Sequence, residues 1–553
     1  MFLCSMKKIG LNLLIILSMI SAIWGCAKRG TPDGGPLDEE PPQYVRARPD
    51  NFTTNFDARE IRIFFNEYIK LSDPQRQIII SPPMDPRPEI TPLGTASRSV
   101  RIRINDTLQP RTTYTINFGR SITDNNEGNP LSFFTYAFST GPYIDSLALR
   151  GRVRDAIRKE ADPFITVMLY EVDSTYHDSV VYSSMPRYIT NTLDSATTFQ
   201  LNNLKEGTYQ LVGMRDVNNN YTFDPNSDKI AFADEFINIP TDEEFDLTLF
   251  KELLDGTFER PQQKAQQHLI FGYRGLMIAD SVSINALNVP EDFESRITKD
   301  VTTDTLHYWY KPNLERDTLK FVVKTPRVTD TIIARLRTMK RDTLQFSFEP
   351  TSGLELQQDL RIRPTVPLVS VNDSLVRILD QDTVQVAFTG SYDRWRNEYV
   401  LSFSKSERST YRVTAFPGAF TDFFGRENDT LRSQLRTPAL ADRGNLIVNL
   451  QGVLEFPVII QITTDKGEVV AERYSTERTA INFNNIKPGK YLLRLIYDQN
   501  QNEIWDTGSF MRRRQPEQVV YFPEPIEVRP NWDVTQTFDV SQPAVVPEGP
   551  NVP

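Results

Sequence analysis

Apolar and polar residues alternate in short runs along most of the chain. Ile61-Arg62-Ile63-Phe64, VRIRI from Val100, YTINF from Tyr114, LQFSF from Leu344 and VQVAF from Val384 each turn every second side chain to one face. Period-two alternation fits a strand with one side in a core and the other in water. Turn residues separate the runs: Asn-Asp-Thr-Leu stands at Asn105 to Leu108 and at Asn428 to Leu431, and Asp-Thr-Leu begins at Asp304, Asp317 and Asp342. Asn and Asp at such points bond nearby backbone and turn the chain. Long helical periodicity is nearly absent. The pattern predicts an all-β protein, a string of β-sandwich domains.

The two ends break this pattern. Lys7 and Lys8 precede an apolar run from Ile9 to Ile23. That run is shorter than the roughly 20 residues of a membrane span, and predicts a signal peptide over residues 1–25. Its close, Ile23-Trp24-Gly25-Cys26, resembles the lipobox of bacterial lipoproteins. The resemblance implies that Cys26 is lipidated with palmitate-type chains and becomes the first residue of a membrane-anchored protein. Residues 26–42 are rich in Gly, Pro and charge and read as a tether, with a reach of about 50 Å if extended. Residues 539–553 form a Pro-rich tail.

Composition narrows the chemistry. The chain has 553 residues and a net charge of −10, which argues against a nucleic-acid partner. Its two cysteines are Cys4 and Cys26, so the mature chain has no thiol for a disulfide, a zinc site or a nucleophile. The three histidines, His177, His268 and His307, are far apart in sequence and are read as surface or packing residues. Arg512-Arg513-Arg514 reads as a solvated loop, with a phosphorylated lipid headgroup as the alternative partner. No nucleophile elbow, phosphate-cradling Gly loop or metal-spaced His set is present, and the expectation is a protein that is not an enzyme.

Two kinds of module emerge. Residues 43–142 carry "F-x-E", LQPRTTYTI, ITDNNEGN and FST in order and resemble the SbsA-type bacterial Ig-like domain. A degenerate copy spans 354–439, where TYRVTAFPGAFTDFFGRENDTL aligns with TYTINFGRSITDNNEGNPL. The second module repeats at an offset of 282 without a gap. Asn202, Asn203, Gly207, Tyr209, Asp216, Asn218, Asn220 and Asp224 match Asn484, Asn485, Gly489, Tyr491, Asp498, Asn500, Asn502 and Asp506. This is an internal repeat. Its "N-L-x-x-G-x-Y-x-L" phrase resembles the prealbumin-like, carboxypeptidase-regulatory β-sandwich, which assigns 143–258 and 440–538 to that module. Residues 259–353 alternate as strands but resemble no named family.

The repeated loops carry the only candidate site. Asp216, Asn218, Asn220 and Asp224, and again Asp498, Asn500, Asn502 and Asp506, space oxygens like the early positions of a calcium loop. Tyr221 and Glu503 stand where such a loop has Gly, and Ser227 and Ser509 where it has Glu. Two carboxylates per loop predict at best weak, about millimolar, calcium binding. The competing reading, a hairpin braced by Asx bonds with Phe223 or Trp505 packed beneath, is favoured; no other cofactor is expected.

These features predict a lipid-anchored, noncatalytic cell-envelope protein, an interaction or scaffold subunit at the outer membrane with an outer-membrane or periplasmic protein partner. The domain string resembles Ig-like lipoproteins of Bacteroidetes, whose surface-exported members carry acidic residues directly after the lipidated cysteine. Here Ala27-Lys28-Arg29 follows Cys26, which favours the periplasmic face. The alternative is a surface glycan-binding or adhesive lipoprotein, with Tyr308-Trp309-Tyr310 as its best aromatic platform and Trp395 as a weaker one.

Overall fold

A computed structural model describes residues 38–541, apart from 193–196, 255, 276, 278–280 and 327. The signal peptide, Cys26, and the tail from Gln542 lie outside the described residues. Strands carry nearly all the regular structure, and among the described residues the one α-helix is the single turn Pro74–Gln77. The protein is all-β. Its chain divides into two compact units: the first takes residues up to Ile78, Met84–Thr112 and Ile116–Tyr143, and the second takes the remainder.

In the first unit the strands run in the order Tyr44–Arg48, Glu60–Leu71, Ser97–Arg103, Glu89–Thr91, with Ile122–Asp124 also pairing Glu60–Leu71. The alternation is realised in the burial. Ile61, Ile63, Val100 and Ile102 are fully buried, while Arg62, Arg101 and Arg103 face solvent. The ITDNNEGN motif is a turn brace. Asp124 accepts the backbone N–H groups of Asn126, Glu127 and Gly128 on Oδ1 and of Asn129 on Oδ2, at 2.7 to 3.1 Å. Gly128 supplies the left-handed φ of 85° that closes it.

In the second unit the repeat is visible as shared topology. The first copy pairs Thr198–Leu204 and Glu244–Leu249 with Leu147–Asp155, the latter in parallel; the second pairs Ala480–Ile486 and Asp533–Asp539 with Gly444–Gln451 in the same way. The opposite sheets run Tyr188–Asn191, Thr166–Glu171, Gly207–Arg215, Lys229–Phe232, and Val469–Ser475, Val458–Thr463, Gly489–Tyr497, Val519–Tyr521. Even the backbone exceptions recur. Asn203 and Asn485, Asn219 and Gln501, and Tyr221 and Glu503 all take positive φ. Tyr209 and Tyr491 point inward, and each hydroxyl donates to a carbonyl four residues upstream, that of Lys205 or Lys487. Such a bond pins the chain before the strand, as in the corner Tyr of immunoglobulin-type sandwiches.

Between the copies lie two more sandwiches. One joins the sheet Thr257–Phe258, His268–Arg274, Thr305–Lys311, Glu294–Lys299 to the sheet Ser283–Ala286, Thr318–Lys324, Thr329–Arg335 around Phe271, Tyr308, Tyr310 and Phe321. The next has its core at Leu360, Ile362, Tyr399, Leu401, Val413 and Phe420. Its strand Phe346–Glu349 pairs with Leu360–Pro364, so this sandwich begins ahead of residue 354. One alternating run is not a strand over its length. The chain turns at Asp380 to Thr383, where Asp380 accepts the N–H of Val384 and Thr383 has φ 64°; Gln385 then bridges Leu379, Val386 N donates to the Ile378 carbonyl, and continuous strand geometry starts at Phe388.

Candidate functional site

The Asp/Asn loops follow the strands Gly207–Arg215 and Gly489–Tyr497. In the first, Asp216 accepts Asn218 N on Oδ1 (3.1 Å) and Tyr221 N on Oδ2 (2.7 Å). Asn220 accepts Thr222 N, and Asp224 accepts Asn226 N. In the second, Asp498 accepts Asn502 N (3.2 Å) and Glu503 N (2.9 Å). Asn500 accepts Asn502 N, Asn502 accepts Ile504 N, and both Asn amides donate to Asp506 Oδ2. Those amides turn nitrogen, not oxygen, toward the carboxylate, and the remaining oxygens face backbone N–H groups. Among the described residues no group of three or more His, Cys, Asp or Glu has a metal-holding arrangement.

A second carboxylate braces each loop from outside the repeated motif. Asp228 accepts Val217 N on Oδ1 (3.0 Å) and Asp224 N on Oδ2 (2.8 Å). In the second copy the equivalent N–H groups, Gln499 and Asp506, are taken by Glu517 (both 2.9 Å). The same job is done from different distances along the chain: Asp228 follows Asp224 by four positions, whereas Glu517 follows Asp506 by eleven. The second copy therefore carries a seven-residue insertion. Burial pushes the Glu517 carboxyl up, against the lowering effect of its two backbone donors.

That insertion reaches into the first copy. Thr507 Oγ1 donates to the Lys251 carbonyl (2.7 Å) and Phe510 N to Glu252 Oε1 (2.6 Å). The Phe510 ring meets Phe232 edge-on at 5.3 Å in a cluster with Phe223, Phe250 and Met214, with Trp505 at its margin. Arg513 lies within 6 Å of the rings of Phe232, Phe236 and Phe510, donates to Gln210 Oε1 (2.6 Å) and pairs with Asp178. Gln515 reaches the Phe232 carbonyl and Asp234. The first copy reciprocates: its Ile157 carbonyl accepts from Arg494 (2.8 Å) and the Tyr521 hydroxyl (2.7 Å). Arg512 and Arg514 are exposed, but Arg513 corrects the reading of this triplet as a solvated loop. Aromatic and basic residues crowd the stretch where the repeat loses its alignment, which marks it as unusual without saying what it touches.

A polar cleft of about 650 Å³ opens beside this clasp of the insertion on the first copy, lined by Arg154, Asp155, Asp234, Phe236, Gln515 and Glu517 among others. Nearby, Lys229 Nζ sits 2.5 Å from both Asp155 and Asp162, a half-buried cation between two buried anions.

The expected aromatic platform is not exposed. Tyr308, Trp309 and Tyr310 are all buried, because both faces of that strand are covered. Trp395 is half-buried against the same core. Two of the three histidines, by contrast, converge. His268 Nδ1 lies 2.5 Å from Asp342 Oδ2, His268 Nε2 2.8 Å from His307 Nδ1, and His307 Nε2 3.2 Å from Asp300 Oδ2. The Trp309 indole stacks on His268 at 3.5 Å. Burial pushes His268 down to about 4 and His307 in the same direction, each against the opposing pull of its carboxylate.

Residues 38–140 match the family described as bacterial Ig-like domain. Among solved structures the chain is similar to surface layer protein SbsC, domains 1–6, at 10% identity over 88% of this chain and 67% of that one, with a TM-score of 0.16. It is also similar to the I-band fragment I67–I69 of titin, at 11% identity over 52% of this chain and 100% of that one, TM-score 0.12. At these TM-scores the resemblance carries no functional argument. The comparison with curated proteins returns no match.

Proposed function

We propose that this chain is a noncatalytic, lipid-anchored protein of the cell envelope, an interaction or scaffold subunit at the outer membrane that faces the periplasm. The observation that carries the reading is the clasp: an insertion in one repeat is spent on fixing that repeat against its sibling. A chain built this way holds surfaces at set positions. The bacterial Ig-like family matched by residues 38–140 supports recognition as the role. The anchor rests on Lys7, Lys8, the apolar run and Cys26; the periplasmic face rests on the basic residues after Cys26. Cys26→Ala is expected to release the protein from membranes or leave it unprocessed, because stable anchoring needs two or more acyl chains. Retention of that variant in membranes after a carbonate wash would remove the anchor from the reading. Protease treatment of intact cells is expected to leave the protein whole, and cleavage without lysis would place it on the surface.

In this reading the Asp/Asn loops are structural braces. Melting curves with and without millimolar calcium are expected to coincide. Saturating a real site at about 100 times its dissociation constant would add about 2.7 kcal/mol, and a gain of that size would make the loops metal sites.

A further inference from the structure

The chain Asp342–His268–His307–Asp300 has three contacts and, with both imidazoles neutral, two protons to fill them. Each ring nitrogen faces a partner, so proton placement is constrained. The 2.5 Å contact needs a proton on His268 Nδ1, and the 2.8 Å contact then takes the one on His307 Nδ1. His307 Nε2 is left as a lone pair opposite Asp300 Oδ2 across the longest gap, 3.2 Å. A third proton there would complete the chain with a charge-assisted bond. A fourth would set N–H against N–H at the centre and split it.

The chain also fastens a segment. Gln263 and Gln266 bond the backbone of Arg337 and Met339, Gln266 N reaches the Lys340 carbonyl, and Arg341 reaches Gln267. Asp342 ends this zipper on His268, and Arg426 of the next sandwich holds the Asp342 carbonyl while pairing with Asp422. Trp309 joins Val366 and Phe423 across the same junction. Beyond Asp300 and Asp342, the charges facing the pair are those of Lys264, Arg341 and Arg426.

We propose that Asp342, His268, His307 and Asp300 form a pH-gated latch, closed with two or three protons and opened by a fourth, that fastens residues 337–342 at the junction between the middle sandwich and the one after it. The two steps belong to the pair and are separated, because the second proton added destroys the bond between the rings. A freed pair would take up both protons near the usual histidine value of about 6.5. Closed, burial opposes both, and the bond between the rings opposes the fourth as well. Opening is therefore favoured as pH falls, by about tenfold per pH unit for each proton by which the open state exceeds the closed.

The test uses the full chain labelled with 15N-histidine, with the exposed His177 as the reference signal. His307 and His268 are expected to titrate in two separate steps below pH 6.5, His307 first. Amide protection over 337–342, corrected for intrinsic exchange, is expected to fall at least about tenfold between pH 7 and the second step. Asp300→Asn keeps an oxygen for the turn at Thr302 and Thr303, and is expected to lower the first step and leave the second unmoved. A single shared step near 6.5, or protection that does not change with pH, would overturn the latch. So would one equivalent of zinc shifting both ring signals at pH 7.5, which would make the facing nitrogens a metal site.

Discussion

Arg513 and the two bracing carboxylates show how much rests on single side chains. Arg513→Ala removes an ion pair with Asp178, a bond to Gln210 and three ring contacts, and is expected to cost roughly 2 kcal/mol in thermal or urea unfolding. Arg513→Lys keeps the charge but loses the planar fork, and is expected to fall between the two. Asp228→Ala and Glu517→Ala each orphan two backbone N–H groups, for about 2–4 kcal/mol apiece. Equal losses at these two positions would show that they do the same work despite their different spacing. The calcium-like spacing was legible as sequence, yet the same oxygens serve a hairpin equally well. What the spacing leaves open is where each oxygen points: those of Asp216, Asn220, Asp224 and Asp498 accept backbone N–H groups and the Asn500 and Asn502 amides donate to Asp506, and no spacing encodes a rotamer.

For the strands and loops, legibility followed the physics of local signals. Ile61 to Phe64 and Val100 to Ile104 were readable because period-two alternation is itself the cause of their burial. Val384 to Ala387 alternate too, and Val386 packs on the core, but so close to the turn at Asp380 to Thr383 they make a single bridge, Leu379 to Gln385, in place of a ladder. The repeat was readable through its glycines, tyrosines and Asx residues. The insertion was not, since alignment stops at Asp506 and nothing in the residues beyond it states where they dock. The histidine pair escaped for a related reason: 39 positions separate His268 from His307, and strand pairing alone joins them. Gly508 supplies an element-level test. A Cβ there would stand 2.7 Å from the Phe250 ring and 2.8 Å from the Arg514 carbonyl. Gly508→Ala is expected to destabilise by about 1–3 kcal/mol, with the loss read at the clasp as increased exchange of the Phe510 and Arg513 amides.

At the scale of the whole chain, the all-β class was legible because the same simple rule of alternation and turns recurs along it. The clasp adds what no local rule contains. Only the second copy owns the plug, and only the first owns the socket of Phe232, Phe236 and Asp178. Nothing in those bonds requires both to lie on one chain. What favours closure within a molecule is the effective concentration that the two intervening sandwiches impose on plug and socket. Shortening the 259–439 stretch until the ends no longer meet is expected to convert monomers into exchanged dimers, with the plug of one molecule in the socket of another, and light scattering at increasing protein concentration would reveal them. An asymmetry between two sibling modules thus makes the spacer between them the determinant of whether the protein stays single.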